Sequence, residues 1–247
     1  VNALLTSIHE IALDAGQAIM ERYHSDVNVQ EKADSSPVTE ADLAANDVIV
    51  GRLNELTPDI PILSEESALT PWQERQSWER FWLVDPLDGT KEFLRRNGEF
   101  TVNIALIENG KPVLSVVYAP ALEKSWLADG KSAWVVAKSG KEQIKARPAT
   151  IPTVVGSRSH PSPDMAAYLE NLGECKMTSV GSSLKFCLVA EGRAQHYPRL
   201  GPTMMWDTAA GQCVAESAGA AVTRLDGSEL NYHREELLNE HFLVVVD

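Results

Sequence analysis

The sequence is poor in several things, and each shortage removes a class of protein. Its 247 residues hold only three cysteines, Cys175, Cys187 and Cys213, far apart and with no Cys-x-x-Cys. That odd, scattered set argues against a disulfide framework and a structural zinc site, and it suits a reducing compartment. Basic residues are the minority charge, 22 Lys and Arg against 35 Asp and Glu, for a net charge of −13. A general nucleic-acid surface needs a basic face, so none is expected. A small phosphorylated substrate stays open, because a bound divalent cation inverts the local field. No apolar run approaches the ~20 residues of a membrane span. The first residues lack the basic-then-apolar order of a signal peptide. A cytoplasmic protein is expected, with peripheral association with the inner membrane face left open. No repeat or low-complexity segment is present. What remains, 44% hydrophobic and 23% charged residues, is the make-up of a globular protein of one large domain or two smaller ones.

The chain is organised around Trp82-Leu83-Val84-Asp85-Pro86-Leu87-Asp88-Gly89-Thr90. Phe81 to Val84 is an apolar run of the kind that makes a buried strand. The strand is expected to stop at Asp85, since Pro86 has no N–H to give a central ladder. Leu87 to Thr90 turns the chain, and Thr90-Lys91-Glu92-Phe93-Leu94 starts a helix with Thr90 at or near its cap. Asp85 and Asp88 therefore stand three residues apart at a strand end, beside a helix start that attracts anions. Hard oxygen ligands in that setting suit Mg²⁺, which takes a few carboxylates and shares its other positions with water and phosphate. The plain alternative is an ordinary strand-to-helix turn, because Asp, Pro and Gly are common turn residues. The haloacid dehalogenase signature, Asp-x-Asp-Gly-Thr, is a poorer match. Two residues separate the aspartates here, and they lie a third of the way along the chain.

Taken in order, Leu4, Leu5, Ile8, Ile11, Ala12, Ala15 and Ile19 recur at helical spacing and predict an amphipathic helix over about 3–23. Residues 31–37 are polar and turn-rich, a loop. A second helix runs from Thr39 to about Leu56, with Thr39 and Asp42 spaced as a capping box. Capping is the plain role for Asp42, and a carboxylate aimed at a site is the functional one. Pro61 to Ser64 is a short strand that delivers Glu65 at its end, as another delivers Asp85, although an acidic pair such as Glu65-Glu66 is usually only surface. Residues 72–80 are a polar connector with no evident role. Phe100–Ile107 and Pro112–Tyr118 predict a hairpin through Asn109-Gly110. Ser125–Leu127 and Ala133–Ala137 add strands around Asp129-Gly130. Residues 138–150 look like a boundary, which divides the chain into 1–147 and 148–247. In the second half, strands at 153–156, 177–180 and 194–198 alternate with helices at 163–172, 183–191 and 206–218, a sheet with helices across it. Asp207 is by itself an ordinary acid in a first helical turn.

Glu65-Glu66, Asp85-Pro86-Leu87-Asp88-Gly89-Thr90 and Trp206-Asp207-Thr208-Ala209-Ala210-Gly211 together resemble the lithium-sensitive, Mg²⁺-dependent inositol monophosphatase-like phosphatases. The resemblance runs from the first helix to the last strand. Within that superfamily, Lys32 to Thr39, Arg95 to Asn103 and Gly181 to Gly192 are similar to the bacterial 3′(2′),5′-bisphosphate nucleotidases of the CysQ type. The implied fold is α+β, a layered α/β/α/β/α sandwich with the site between its halves. The implied reaction converts 3′-phosphoadenosine 5′-phosphate, a by-product of sulfate assimilation, to AMP and phosphate.

The same resemblance implies roles. Glu65, Asp85 and the Leu87 carbonyl would bind one Mg²⁺, and Asp85, Asp88 and Asp207 a second, with a looser third ion near Glu65 and inhibition by Li⁺ and Ca²⁺. Asp42 and Thr90 would orient and deprotonate the attacking water, a carboxylate taking a proton relayed through a hydroxyl. Gly89 and Thr90 would receive phosphate oxygens, Ser182, Lys185 and Arg199 the nucleotide and its 5′-phosphate, and His160 would lie near the base or ribose. A lone Lys, Arg or His is more often simply solvated. The expected partner is a small nucleotide bisphosphate, not a nucleic acid, and the chain is expected to be a monomer or weak dimer. An inositol monophosphatase or fructose 1,6-bisphosphatase of the same fold is the alternative. A protein that only binds Mg²⁺ or nucleotide would have no use for the water-activating pair of Asp42 and Thr90.

Overall fold

The structure, a computed structural model, describes residues 3–24, 29–31, 37–158 and 164–246. The amphipathic first segment forms α1 (Ala3–Tyr23), which buries Leu5, Ile8, Ile11, Ala15 and Ile19 along one face. A hairpin of β1 (Val29–Glu31) and β2 (Pro37–Thr39) leads into α2 (Glu40–Leu56). Thr39 is the N-cap of α2, and Asp42 closes the box by accepting from the Thr39 backbone N–H at 2.8 Å.

A seven-stranded sheet follows, in the order β3-β4-β5-β6-β7-β8-β9. Its strands are β3 (Ile62–Ser64), β4 (Arg80–Asp88), β5 (Thr101–Glu108), β6 (Lys111–Ala119), β7 (Lys124–Ala128), β8 (Ala133–Ala137) and β9 (Gly140–Ile144). Asn109 and Gly110, both at positive φ, make the tight turn between β5 and β6. The continuous apolar runs of the central strands have a simple cause, since both sheet faces are covered. Trp82 and Val84 of β4 join the core under α1 and α2, while Phe81 and Leu83 join a second core on the opposite face. The short helices α3 (Trp72–Arg75) and α4 (Thr90–Leu94) flank β4 in sequence.

The second half alternates as expected. It contains β10 (Thr153–Ser157), α5 (Met165–Leu172), β11 (Lys176–Val180), α6 (Leu184–Ala190), β12 (His196–Arg199), α7 (Met205–Ser217), β13 (Ala221–Arg224) and β14 (Phe242–Val245). Its five-stranded sheet has the order β11-β10-β12-β14-β13. Tyr197 of β12 packs edge-on to Phe186 of α6. Its neighbour His196 therefore turns to the other face, where it meets the Tyr168 hydroxyl of α5 at 2.8 Å. The layers run α1/α2, seven-stranded sheet, α6/α7, five-stranded sheet, α5, and a single apolar core joins both sheets through α6 and α7. No helix among the described residues is long and apolar enough to cross a membrane.

Three expectations need correction. First, β4 does not stop at Asp85 but continues through Pro86 to Asp88. Asp85 pairs with Asn103 and Asp88 with Thr101, so β4 advances one residue more than its partner, as in a β-bulge. On the other side β3 ends at Ser64, opposite Val84. No ladder position therefore needs the N–H that Pro86 lacks. Second, the supposed boundary at 138–150 contains β9, paired along β8. It is an exposed edge carrying Lys141 and Glu142, charges that blunt such edges and leave no apolar alternation to read. Third, the connector at 72–80 has structure and a task. The Arg75 guanidinium is buried and donates to the carbonyls of Thr70 (2.9 Å), Arg234 (3.3 Å) and Glu235 (3.0 Å), tying the segment after Glu65 to the C-terminal loop.

Candidate metal centre and substrate cleft

The acidic groups of the cluster arrive on three separate elements. β4 carries Asp85 at its bulge, where Oδ1 accepts the Leu87 N–H at 3.0 Å and curls the chain back on itself. β3 ends one residue before Glu65, whose N–H donates to the Val84 carbonyl at 3.1 Å. The end of β3 is held by Asn46 of α2, which accepts from the Ser64 hydroxyl at 2.7 Å. Asp207 lies in the first turn of α7, where its carboxylate accepts the Met204 N–H at 2.9 Å. Oxygen atoms of Glu65, Asp85 and Asp207 all lie within 4.8 Å of one another. Asp88 stands beside this trio, with Asn103 Nδ2 at 3.4 Å.

Electrostatics mark the cluster as short of positive charge. Burial, and then the charges of Glu65, Asp88, Asp207 and Asp42, push Asp85 well above the usual carboxylate range. Burial, then Asp88 and Glu65, does the same to Asp207. Asp88 is raised by burial, against the opposing pull of Lys185. Carboxylates this close cannot all ionise without a counter-charge, and an all-oxygen donor set suits a hard divalent cation.

Asp42 is reached through Thr90. The Thr90 hydroxyl donates to Asp42 Oδ1 at 3.1 Å, while the Thr39 hydroxyl donates to Oδ2 at 2.6 Å. The capping and functional readings of Asp42 are thus compatible, because each uses its own oxygen. Burial raises Asp42, and the hydrogen bonds from Thr39 and Thr90 oppose the shift. Gly89 caps α4 with φ of 94°, so Thr90 is the first helical residue rather than the cap. The Leu87 side chain is core, and its carbonyl lies 3.5 Å from the Thr90 hydroxyl.

A cleft of about 490 Å³ collects most of the expected residues: Glu65, Asp88, Gly89, Thr90, Ser182, Lys185, Arg199 and Asp207 all line it. Asp85, 2% exposed, does not line it but lies beside Glu65 and Asp207, which do. Lys185 is buried, with its pKa drawn down to about 8 by burial despite Asp88, and its ammonium donates to the Ser182 carbonyl at 2.6 Å. Arg199 Nη2 donates to the Pro202 carbonyl at 2.6 Å. The buried Arg199 Nε and Ser182 Oγ have no hydrogen-bond partner among the described residues. Buried polar atoms are rarely left so, and both residues line the cleft, where an anion would satisfy them. His160 lies outside the described residues.

The sequence matches the model of the inositol monophosphatase family over residues 2–244. The chain belongs to that family. It is 54% identical to the 3'(2'),5'-bisphosphate nucleotidase CysQ of Escherichia coli (strain K12), over 98% of this chain and 100% of the relative. The crystal structure of CysQ from Bacteroides thetaiotaomicron, a bacterial member of the same family, is similar with a TM-score of 0.89 at 39% identity, covering 100% of this chain and 98% of that one. The extragenic suppressor protein suhB from Bartonella henselae is similar at 26% identity and a TM-score of 0.81, over 100% of this chain and 95% of that one.

For this member of the inositol monophosphatase family, sequence reasoning missed a polar network behind the acids. Asn103 Nδ2 donates to the Ser183 hydroxyl at 2.9 Å, and Ser183 donates to the Asp207 carbonyl at 2.9 Å. The network joins β5, α6 and α7, so the acids from the two halves keep a fixed spacing. Its signal was present, since an asparagine between Val102 and Ile104 in an apolar strand must find partners once buried. Asn239 was also missed. Its side chain donates to the Met204 carbonyl at 2.8 Å and its backbone N–H to the Thr203 carbonyl at 2.8 Å, which steadies the start of α7.

Proposed function

We propose that this chain is a Mg²⁺-dependent phosphomonoesterase that hydrolyses the 3′-phosphate of 3′-phosphoadenosine 5′-phosphate, giving AMP and phosphate. One observation carries the reading: a single cleft is lined both by clustered carboxylates and by Lys185 and Arg199. A bisphosphate uses both chemistries, and a monophosphate has little use for the second. The relationship to the Escherichia coli nucleotidase supports the same substrate.

Glu65, Asp85 and Asp207, with Asp88 and the Leu87 carbonyl beside them, would hold two to three Mg²⁺ ions. When bound, such ions neutralise phosphate charge and acidify water. The chain's own groups do the rest. The Thr90 hydroxyl faces the attacking water and passes its proton to Asp42 Oδ1, replacing it with one from the water. Thr39 holds Asp42 in the orientation to receive it. The backbone at Gly89 and Thr90 receives phosphate oxygens, while Lys185, Arg199 Nε and Ser182 Oγ hold the 5′-phosphate and sugar side. His160 is assigned to the base or ribose on family resemblance alone. Residues 1–147 and 148–247 form the two halves that meet at the cleft.

Competition by Li⁺ at the weakest ion position, and a looser geometry with Ca²⁺, would each inhibit. Three free thiols, two of them buried, fit the reducing cytoplasm, and the proposed assembly is a monomer or weak dimer. The test is phosphate release from 3′-phosphoadenosine 5′-phosphate, inositol 1-phosphate and fructose 1,6-bisphosphate with Mg²⁺, with and without Li⁺. Preference for the nucleotide is expected. Preference for the inositol ester would overturn the nucleotidase reading and leave the metal centre standing, and full turnover in EDTA would overturn the metal centre.

A further inference from the structure

The region around the cleft carries an ion pair that the hydrolytic machinery does not use. Glu99 precedes β5 in the half that bears Asp85, and Arg158 follows β10 in the other half. The guanidinium grips the carboxylate as a fork, Nε to Oε2 at 2.6 Å and Nη2 to Oε1 at 2.8 Å. Neither group stops there. Glu99 Oε2 also accepts the Gly181 N–H at 2.9 Å, and Arg158 Nη2 also donates to the Ser179 carbonyl at 2.8 Å. Between them the two side chains hold the end of β11 and the first residue of the turn into α6.

That turn is constrained and lines the cleft. Ser182 has φ of 46°, in the left-handed region that side chains rarely adopt. Its hydroxyl is buried without a partner among the described residues, and its carbonyl anchors Lys185. The surroundings are closed. A Cβ on Gly181 would lie 2.7 Å from both Glu92 Cγ and the Glu99 carbonyl, and one on Gly89 would lie 3.2 Å from the Glu99 carbonyl and 3.3 Å from Ser182 Cβ. Gly89, on the carboxylate side, and Ser182, on the cation side, thus meet across the Glu99 backbone.

We infer that the Glu99–Arg158 pair is a specificity-determining clasp that sets the Ser182–Lys185 turn against Gly89, and with it the reach between carboxylates and cations that a two-phosphate substrate must span. Both are positioning residues, acting through Gly181 and Ser179. The substrate named here rests on the nucleotidase reading; the clasp itself rests on the hydrogen bonds. Glu99 and Arg158 are 19% and 43% exposed. Ion pairs at such exposure add little to global stability, while a bidentate fork still fixes direction. Discrimination is therefore the property at stake.

The test compares Glu99→Ala, Arg158→Ala and the double variant. Glu99→Ala should raise KM for 3′-phosphoadenosine 5′-phosphate about tenfold, the scale of one lost charged hydrogen bond. Its turnover of inositol 1-phosphate should stay within about twofold and its Tm within about 3 °C. Arg158→Ala keeps the Glu99–Gly181 bond and should lose less, and the double variant should be no worse than Glu99→Ala, as coupled residues are. Equal losses on both substrates, or fully additive losses, would overturn the clasp. Hydrogen exchange supplies a readout independent of substrate. The Gly181 amide should exchange about tenfold faster in Glu99→Ala, as expected for a lost bond, and should be unchanged in Glu108→Ala, which breaks a remote pair with Arg80. Unchanged exchange in Glu99→Ala overturns the clasp whatever the substrate is. Failure of the unaltered enzyme on the nucleotide overturns the nucleotidase reading, and the exchange result then decides the clasp alone.

Discussion

Stripping divalent cations should leave this protein stabilised by mild acid, and restoring Mg²⁺ should remove that preference. Asp85 and Asp207 titrate well above the ordinary aspartate value of 3.8, through burial first and neighbouring carboxylates second. In the unfolded chain the same groups titrate near that ordinary value. Between the two values the folded state binds more protons than the unfolded one, so stability falls as pH rises. Asp42, raised by burial, contributes with the same sign. The Tm of the metal-free protein should therefore decline as pH rises above the ordinary aspartate value. Mg²⁺ needs the deprotonated carboxylates, so its stabilising effect should grow over the same window. At free Mg²⁺ of about 100 times Kd, one ion contributes about 2.7 kcal/mol. For a chain of this length that is roughly 5–11 °C in Tm. Thermal unfolding of metal-stripped protein, with and without Mg²⁺ at several pH values, reads both slopes. Asp207→Asn should flatten each of them. A metal-free Tm that rises through the window, or a Mg²⁺ shift equal at both ends, would refute the like-charge reading of Glu65, Asp85 and Asp207.

Asp42→Asn should keep Mg²⁺ affinity while kcat falls roughly 10²-fold or more, the scale of a lost general base; calorimetric titration beside kinetics separates this from Asp207→Asn, which should lose the metal itself. A normal kcat in Asp42→Asn would leave the residue only its cap on α2. Arg199→Ala should raise KM for 3′-phosphoadenosine 5′-phosphate about ten- to a hundredfold, as for loss of a charged contact to phosphate, and leave the poor hydrolysis of inositol 1-phosphate nearly unchanged; equal losses would make Arg199 a support of the fold. Gly211→Ala would drive a Cβ into the ring of Phe186, forcing α7 from α6 at a cost of about 1–3 kcal/mol, and a Tm equal to that of the unaltered protein would show that the two helices can part freely.

Much of the fold was legible because most of its elements obey one local rule each. The spacing of Leu5, Ile8, Ala12, Ala15 and Ile19 is helical whatever α1 packs against. Asn109-Gly110 favours a tight hairpin on backbone grounds alone. The failures came where a neighbour decides. Pro86 is a strand breaker only where an adjacent strand needs its N–H, and β3 has already ended there. β9 is a strand by virtue of β8, since Lys141, Glu142 and Gln143 carry no apolar pattern of their own.

The candidate site divides in the same way. Asp85, Asp88 and Glu65 were visible because apolar strands deliver them, and a carboxylate at a strand end is unusual enough to notice. Arg199, Ser182 and Lys185 entered on family resemblance, and what supports them is three-dimensional: two buried polar atoms without partners among the described residues and an ammonium held by a neighbouring carbonyl. Glu99 lies within the stretch from Arg95 to Asn103 that resembles the nucleotidases, but neither it nor Arg158 was given a role. An exposed arginine and a glutamate 59 positions apart carry no local pattern, and only the fold that brings β10 beside the start of β5 turns them into a pair. The residues proposed to hold the two halves in register therefore belong to the part of the site that a single sequence conceals, while the clustered acids belong to the part it displays. Substitutions at the first kind should change which ester is preferred, and substitutions at the second should change whether any ester is cut.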